Sequence, residues 1–159
     1  MTKSQLIDDT LNDMLDDGLV IVAAAGNEGG EVDDFSPGGL DTVITVGSVD
    51  ANYEVMDITN RPIVNTSANV DILRDVNNNA KLDIFAIGQN VQIADSGNAS
   101  NYIWQSGTSV STAITSGIAL QYIDIYSSHN ANQIKSSLVT EGHIYLSLIH
   151  ISEPTRLSV

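Results

Sequence analysis

Cysteine is absent from this 159-residue chain, so neither a disulfide framework nor thiol chemistry is open to it. Basic residues are scarce: 6 lysines and arginines stand against 20 aspartates and glutamates, a formal net charge of −14. That balance argues against nucleic acid and against an anionic membrane surface as partners, because both are bound through positive charge. It suits an extracellular or a calcium-using protein. No apolar run reaches the length of a membrane span. Residues 1–20 also lack the basic start and apolar core of a secretory leader. No histidine precedes His129; the others are His143 and His150.

What remains is enough for one core, with 42% of residues hydrophobic. Thr2 and Gln5 have the spacing of a capping box. Leu6, Ile7, Leu11, Met14 and Leu15 then form one apolar helical face, with Asp8, Asp9, Asp13, Asp16 and Asp17 toward solvent. Gly18 is placed to stop that helix. Leu19–Ala25 and Thr42–Val46 are continuous apolar runs of strand length, each ending in glycine, as expected of parallel strands covered on both faces. Shorter strands are expected at Leu82–Phe85, Val91–Ala94 and Tyr102–Gln105, and helices over 109–125 and from Ala131 to Val139. Asn130 and Gln133 box the start of the last helix. Helices interleaved with buried strands predict an α/β fold with a mainly parallel sheet, and nothing divides it into two domains.

Two short stretches carry the chemistry. Gly107-Thr108-Ser109 opens a helix rich in small residues, which predicts burial on most sides. Ser109 falls in the first turn, where free N–H groups and the positive dipole end favour negative charge. It serves either as a cap on a core helix or as a nucleophile. Ala24-Ala25-Gly26-Asn27-Glu28-Gly29 ends the first buried strand, and ligands of open α/β sheets bind at such carboxyl ends. Asn27 there is a turn residue, part of a phosphate loop, or an N–H donor to an oxyanion. The spacing fits neither G-x-G-x-x-G nor a P-loop, which weighs against nucleotide binding.

Taken in order, Ala24–Gly29, Val43–Gly47, Asp83–Gly88 and Gly107–Ser109 resemble the second half of a subtilisin-like serine protease catalytic domain, over roughly residues 3–144. The resemblance implies a three-layer subtilisin-like fold present as a partial domain, a polypeptide substrate, acyl-enzyme chemistry and no obligatory cofactor. It implies Ser109 as nucleophile, and the Ser109 N–H with the Asn27 side chain as oxyanion hole. Ala24, Ala25, Gly26, Gly107 and Thr108 would border the substrate. Phe35-Ser36-Pro37-Gly38 would lie near the pocket floor, with Phe35 either making the pocket shallow or buried as core. The family also implies secretion; oligomeric state is left open.

The departures are specific. The proline usual four residues after the nucleophile is Ala113, its histidine neighbour is Ile114, and the A-P-G before the late strand reads Ala86-Ile87-Gly88. These leave a non-catalytic binding or scaffold domain as the alternative function. The family orders its triad Asp, His, Ser, yet no histidine precedes Ser109. The expectation is therefore a fragment, residues 1–145, that begins after the missing Asp and His and is inactive alone. Leu146–Arg156 resembles a translated transposase-type sequencing adapter, so 146–159 are expected to be an artefactual tail rather than a terminal strand. Finally, Asp75-Val76-Asn77-Asn78-Asn79 has the alternating oxygen ligands of a calcium loop. Ala80 replaces the usual glycine there and Ala86 the bidentate acid, so a polar insertion is the simpler reading and no metal site is assigned.

Overall fold

The computed structural model describes residues 3–62, 82–98 and 100–149, and the side chains of these as far as residue 141. The first helix, α1 (Gln5–Asp16), has Ser4 at its N-cap position with no capping bond from the side chain; Thr2 lies outside the described residues. The Gly18 stop is built as expected, with φ +89°. Its N–H reaches the Leu15 carbonyl at 2.9 Å and the Leu19 N–H reaches Met14 at 3.1 Å, the two bonds of a Schellman end.

The helix face differs from the expected one. Asp8 is buried at 4% exposure while Leu6 is 78% exposed. The cause lies far along the chain. Lys3 N–H donates to the Asp34 carbonyl (2.8 Å), and Ser4 N–H donates to Ser36 Oγ (2.9 Å). Those bonds set the helix on segment 34–36, and Asp8, one turn beyond Ser4, shares that face.

Three strands, β1 (Val22–Ala24), β2 (Ile44–Val49) and β3 (Ile84–Ile87), form a parallel sheet in that order. Val22 pairs with Ile44 and Val46 with Ile84. Every residue of β2 is buried. Its polar Thr45 is satisfied by donating from Oγ1 to the Gly38 carbonyl at 2.8 Å. The strand does not stop at Gly47 as its composition suggested. Gly47 pairs with Phe85, whose ring occupies the space a side chain at 47 would take, so the ladder runs on to Val49. Strands β4 (Val91–Ala94) and β5 (Tyr102–Gln105) form a separate antiparallel pair.

One face of the sheet is covered by α2 (Thr108–Ile125) and α3 (Ala131–Ile149). The shared core is Ile44, Val46, Ile84 and Ala86 against Ile118, Ala119, Tyr122, Ile134 and Leu138. Only one side of α2 is buried, however: Leu120 (67%), Ile123 (39%) and Ile125 (58%) stay exposed. The Asn130–Gln133 box forms in both directions, at 2.9 and 3.0 Å. The helix it starts passes Val139 and runs to Ile149, since the glycine at 142 costs only about 1 kcal/mol and does not end a helix by itself.

Lys135 pins α3 to the sheet. Its Nζ donates to the Asp41 and Val43 carbonyls (2.7 and 2.6 Å) and pairs with Asp83 Oδ2 at 2.9 Å. That carboxylate also accepts the Thr45 N–H at 2.8 Å. Burial pushes the Asp83 carboxyl above its ordinary range, against the opposing pull of Lys135 and the Thr45 N–H. The Asp75–Asn79 stretch and the tail from residue 150 onward lie outside the described residues. Among the described residues, no helix is long and apolar enough to cross a membrane.

Candidate active site

The carboxyl ends of β1 and β3 meet the start of α2. Gly107 N–H donates to the Gly88 carbonyl at 2.7 Å, and Ser111 Oγ donates to the Ala86 carbonyl at 3.0 Å. A side chain at Gly88 would collide with the Ser48 and Ser111 hydroxyls, so glycine is what lets the helix start this close to the sheet. Gly107, the N-cap, has φ +145°, a region that disfavours side chains. Thr108 is buried and Ser109, in the first turn, is exposed.

Asn27 is brought to this same turn from 81 residues away. Its Oδ1 accepts from the Thr108 N–H (2.8 Å) and from Thr108 Oγ1 (3.0 Å). The Thr108 hydroxyl has already accepted the Gly26 N–H at 3.3 Å, so its own proton is left for Asn27. Both neighbours are donors, which fixes the amide with oxygen toward Thr108 and Nδ2 away from it. Among the described residues, neither Asn27 Nδ2 nor the Ser109 N–H has a hydrogen-bond acceptor. A Cβ at Gly107 would stand 3.3 Å from Asn27 Nδ2, so the amide lies directly over the N-cap.

The segments expected to border a substrate also converge. Ala25 is fully buried and its N–H donates to the Val46 carbonyl at 3.0 Å. Gly38 packs so tightly on Ala24 that a Cβ there would come within 2.6 Å of the Ala24 carbonyl oxygen. The Phe35 ring is half-buried and lies beside Gly30.

Of the chain's three histidines, His129 alone has a described side chain. His129 sits beyond the far end of α2, an 18-residue helix about 27 Å long. There it stacks on Tyr126 with ring centroids 4.9 Å apart. Sequence reasoning missed Asn60, which is fully buried and hydrogen-bonded to the Asn27 loop. No local pattern in Thr59-Asn60-Arg61 announces it.

A family model described as the subtilase family matches residues 2–144. The chain belongs to the subtilase family. Subtilisin-like protease 1 of the fungus Pseudogymnoascus destructans is 30% identical over 139 residues, covering 87% of this chain and 30% of that protein. The extracellular serine proteinase of Thermus sp. strain Rt41A is 28% identical over 139 residues, covering 86% and 29% respectively. A solved cold-adapted subtilisin-like serine proteinase superposes with a TM-score of 0.70 at 21% identity, over 89% of this chain and 45% of its own. The α/β fold with a parallel sheet is thus the subtilase fold, in partial form. The chain spans about 30% of the length of the two named relatives.

Proposed function

We propose that the full-length protein is a serine endopeptidase and that Ser109 is its nucleophile. The Ser109 hydroxyl attacks the scissile carbonyl. The charge that develops on the carbonyl oxygen is held by the Ser109 N–H and Asn27 Nδ2–H; as the peptide C–N bond breaks, the amine half leaves with the proton taken from Ser109 and an acyl-enzyme remains. Water then hydrolyses the ester, and the chemistry needs no cofactor. The supporting observation is the pairing of an exposed serine on the positive end of α2 with two N–H donors that have no acceptor among the described residues. Ala24 and Gly26 are open to a bound polypeptide, whereas Ala25, Gly107 and Thr108, expected to border it as well, are buried and support the site from behind. The name of the Thermus relative and the acidic composition favour action outside the cell.

A serine hydroxyl needs a base, and that base an orienting carboxylate. His129 stands at the wrong end of α2, and the family's order of Asp, His, Ser puts both groups ahead of the nucleophile, so this reading takes them from the full-length protein rather than from the 159 residues read here. The test is peptide hydrolysis by the full-length protein and by the 159-residue chain. Activity of the former that Ser109→Ala abolishes, with none from the latter, is expected. Hydrolysis by the purified chain, lost in Ser109→Ala, would contradict the placement of the base. A folded but inert full-length protein would favour the non-catalytic scaffold, for which Ala113 and Ile87 are the motivating substitutions.

A further inference from the structure

Asn60 lies outside every motif that the sequence offers, yet its whole side chain is committed to the loop that carries Asn27. It is fully buried. Its Oδ1 accepts the Glu28 N–H (3.1 Å) and the Gly30 N–H (2.9 Å). Its Nδ2 donates to Glu28 Oε2 at 2.8 Å, and its backbone N–H donates to the Gly26 carbonyl at 3.1 Å. Glu28 Oε2 in turn accepts the Asn27 N–H at 2.9 Å. Both partners of Oδ1 are N–H donors, so the amide has one orientation. Gly26, at φ +106°, must be glycine because a side chain would collide with the Asn60 amide.

We propose that Asn60 is a positioning residue for Asn27, with Glu28 as the relay. The two fix the backbone of the 26–30 loop so that the Asn27 amide meets Thr108 through oxygen and presents Nδ2–H beside Ser109. This inference rests on the assignment of Asn27 as oxyanion donor. The reason it matters is geometric. A donor stabilises a transition state only if it is held within a few tenths of an ångström of where the charge forms, without reorganising during the reaction. A clamp acting on Asn27 alone therefore moves kcat and leaves ground-state binding nearly untouched.

The experiment is a double-mutant cycle in the full-length protein, comparing Asn60→Ala, Asn27→Ala and the pair, with kcat and KM read separately. Asn60→Ala is expected to lower kcat about tenfold or more with KM changed by less than about twofold. In the Asn27→Ala background the same change should cost less than about threefold. Full multiplicative loss in the double variant would overturn the proposal, as would an unchanged kcat with only a lowered unfolding temperature. Glu28 is exposed, so Glu28→Ala gives the same cycle without a buried vacancy. Should Asn60→Ala fail to fold, non-additivity of Glu28→Ala with Asn27→Ala decides for the clamp and additivity against it. Activity surviving in Ser109→Ala would remove the functional reading itself, a result distinct from additivity in the cycle.

Discussion

Thr108 is fully buried, and its part in the site is to hold Asn27. Its backbone N–H and hydroxyl both point at Asn27 Oδ1, so the hydroxyl can be removed while the N–H stays. Thr108→Val keeps the shape of the buried side chain and deletes the hydroxyl's bond to Asn27, worth about 1–1.5 kcal/mol, together with its longer bond from the Gly26 N–H. The expected result is roughly a tenfold fall in kcat at constant KM, with Thr108→Ser close to wild type; equal kinetics for both variants would contradict the anchoring role. Asn27→Ala removes the donor outright. In subtilisin itself the loss of the corresponding asparagine costs about 10²–10³ in turnover, and a comparable loss is expected here. At this scale the sequence was partly legible. Ser109 and Asn27 stood in recognisable local patterns, whereas Asn60 is an asparagine whose meaning comes only from a loop 30 to 32 residues earlier.

At the scale of elements, the signals contained within one helical turn were read correctly, whereas the limits of β2, β3 and α3 and the distant contacts were not. The Asn130–Gln133 box and the Gly18 stop depend on residues within one turn, and both formed as expected. Asp8 was placed toward solvent because helical periodicity cannot see the bonds from Lys3 and Ser4 to segment 34–36 that orient the helix. The Lys135–Asp83 pair is likewise a long-range feature, and it makes a pH-dependent prediction. Because burial raises the Asp83 carboxyl above its ordinary 3.8, the folded chain binds that proton more tightly than the unfolded chain. Its contribution is therefore fully present below 3.8 and is lost as pH rises through the folded value. Lys135→Met removes the compensating cation and leaves a buried carboxylate, a loss of roughly 3 kcal/mol at neutral pH. Urea unfolding should show that deficit shrinking in mildly acidic buffer, as Asp83 takes up its proton. A deficit that holds or grows on acidification would contradict the assignment. Asp83→Asn should cost less, because the amide oxygen still accepts from Lys135 and Thr45 and the ammonium keeps its bonds to the Asp41 and Val43 carbonyls.

For the molecule as a whole, composition and strand pattern were enough to predict the parallel sheet, and the order of the motifs was enough to predict the family. The one-sided burial of α2 was not readable from its small residues, because composition cannot say which flank has a neighbour. The net charge of −14 also acts at this scale. The single tryptophan, Trp104, is 67% exposed on β5, so a cationic quencher should reach it better than an anionic one. Caesium is expected to quench its fluorescence more steeply than iodide at low ionic strength, the difference closing as salt is added; the reverse order would contradict a negative surface around Trp104, and weak quenching by both ions would mean that it is covered in solution. The central claim is that Ser109 is a nucleophile in a preorganised oxyanion site. Its most direct test is covalent labelling of the full-length protein with a serine-directed phosphonate, the modified residue located by mass spectrometry. The prediction is one adduct per chain, on Ser109, absent in Ser109→Ala and strongly slowed in Asn27→Ala. A folded protein that leaves Ser109 unmodified, or that is labelled at another serine, would contradict it.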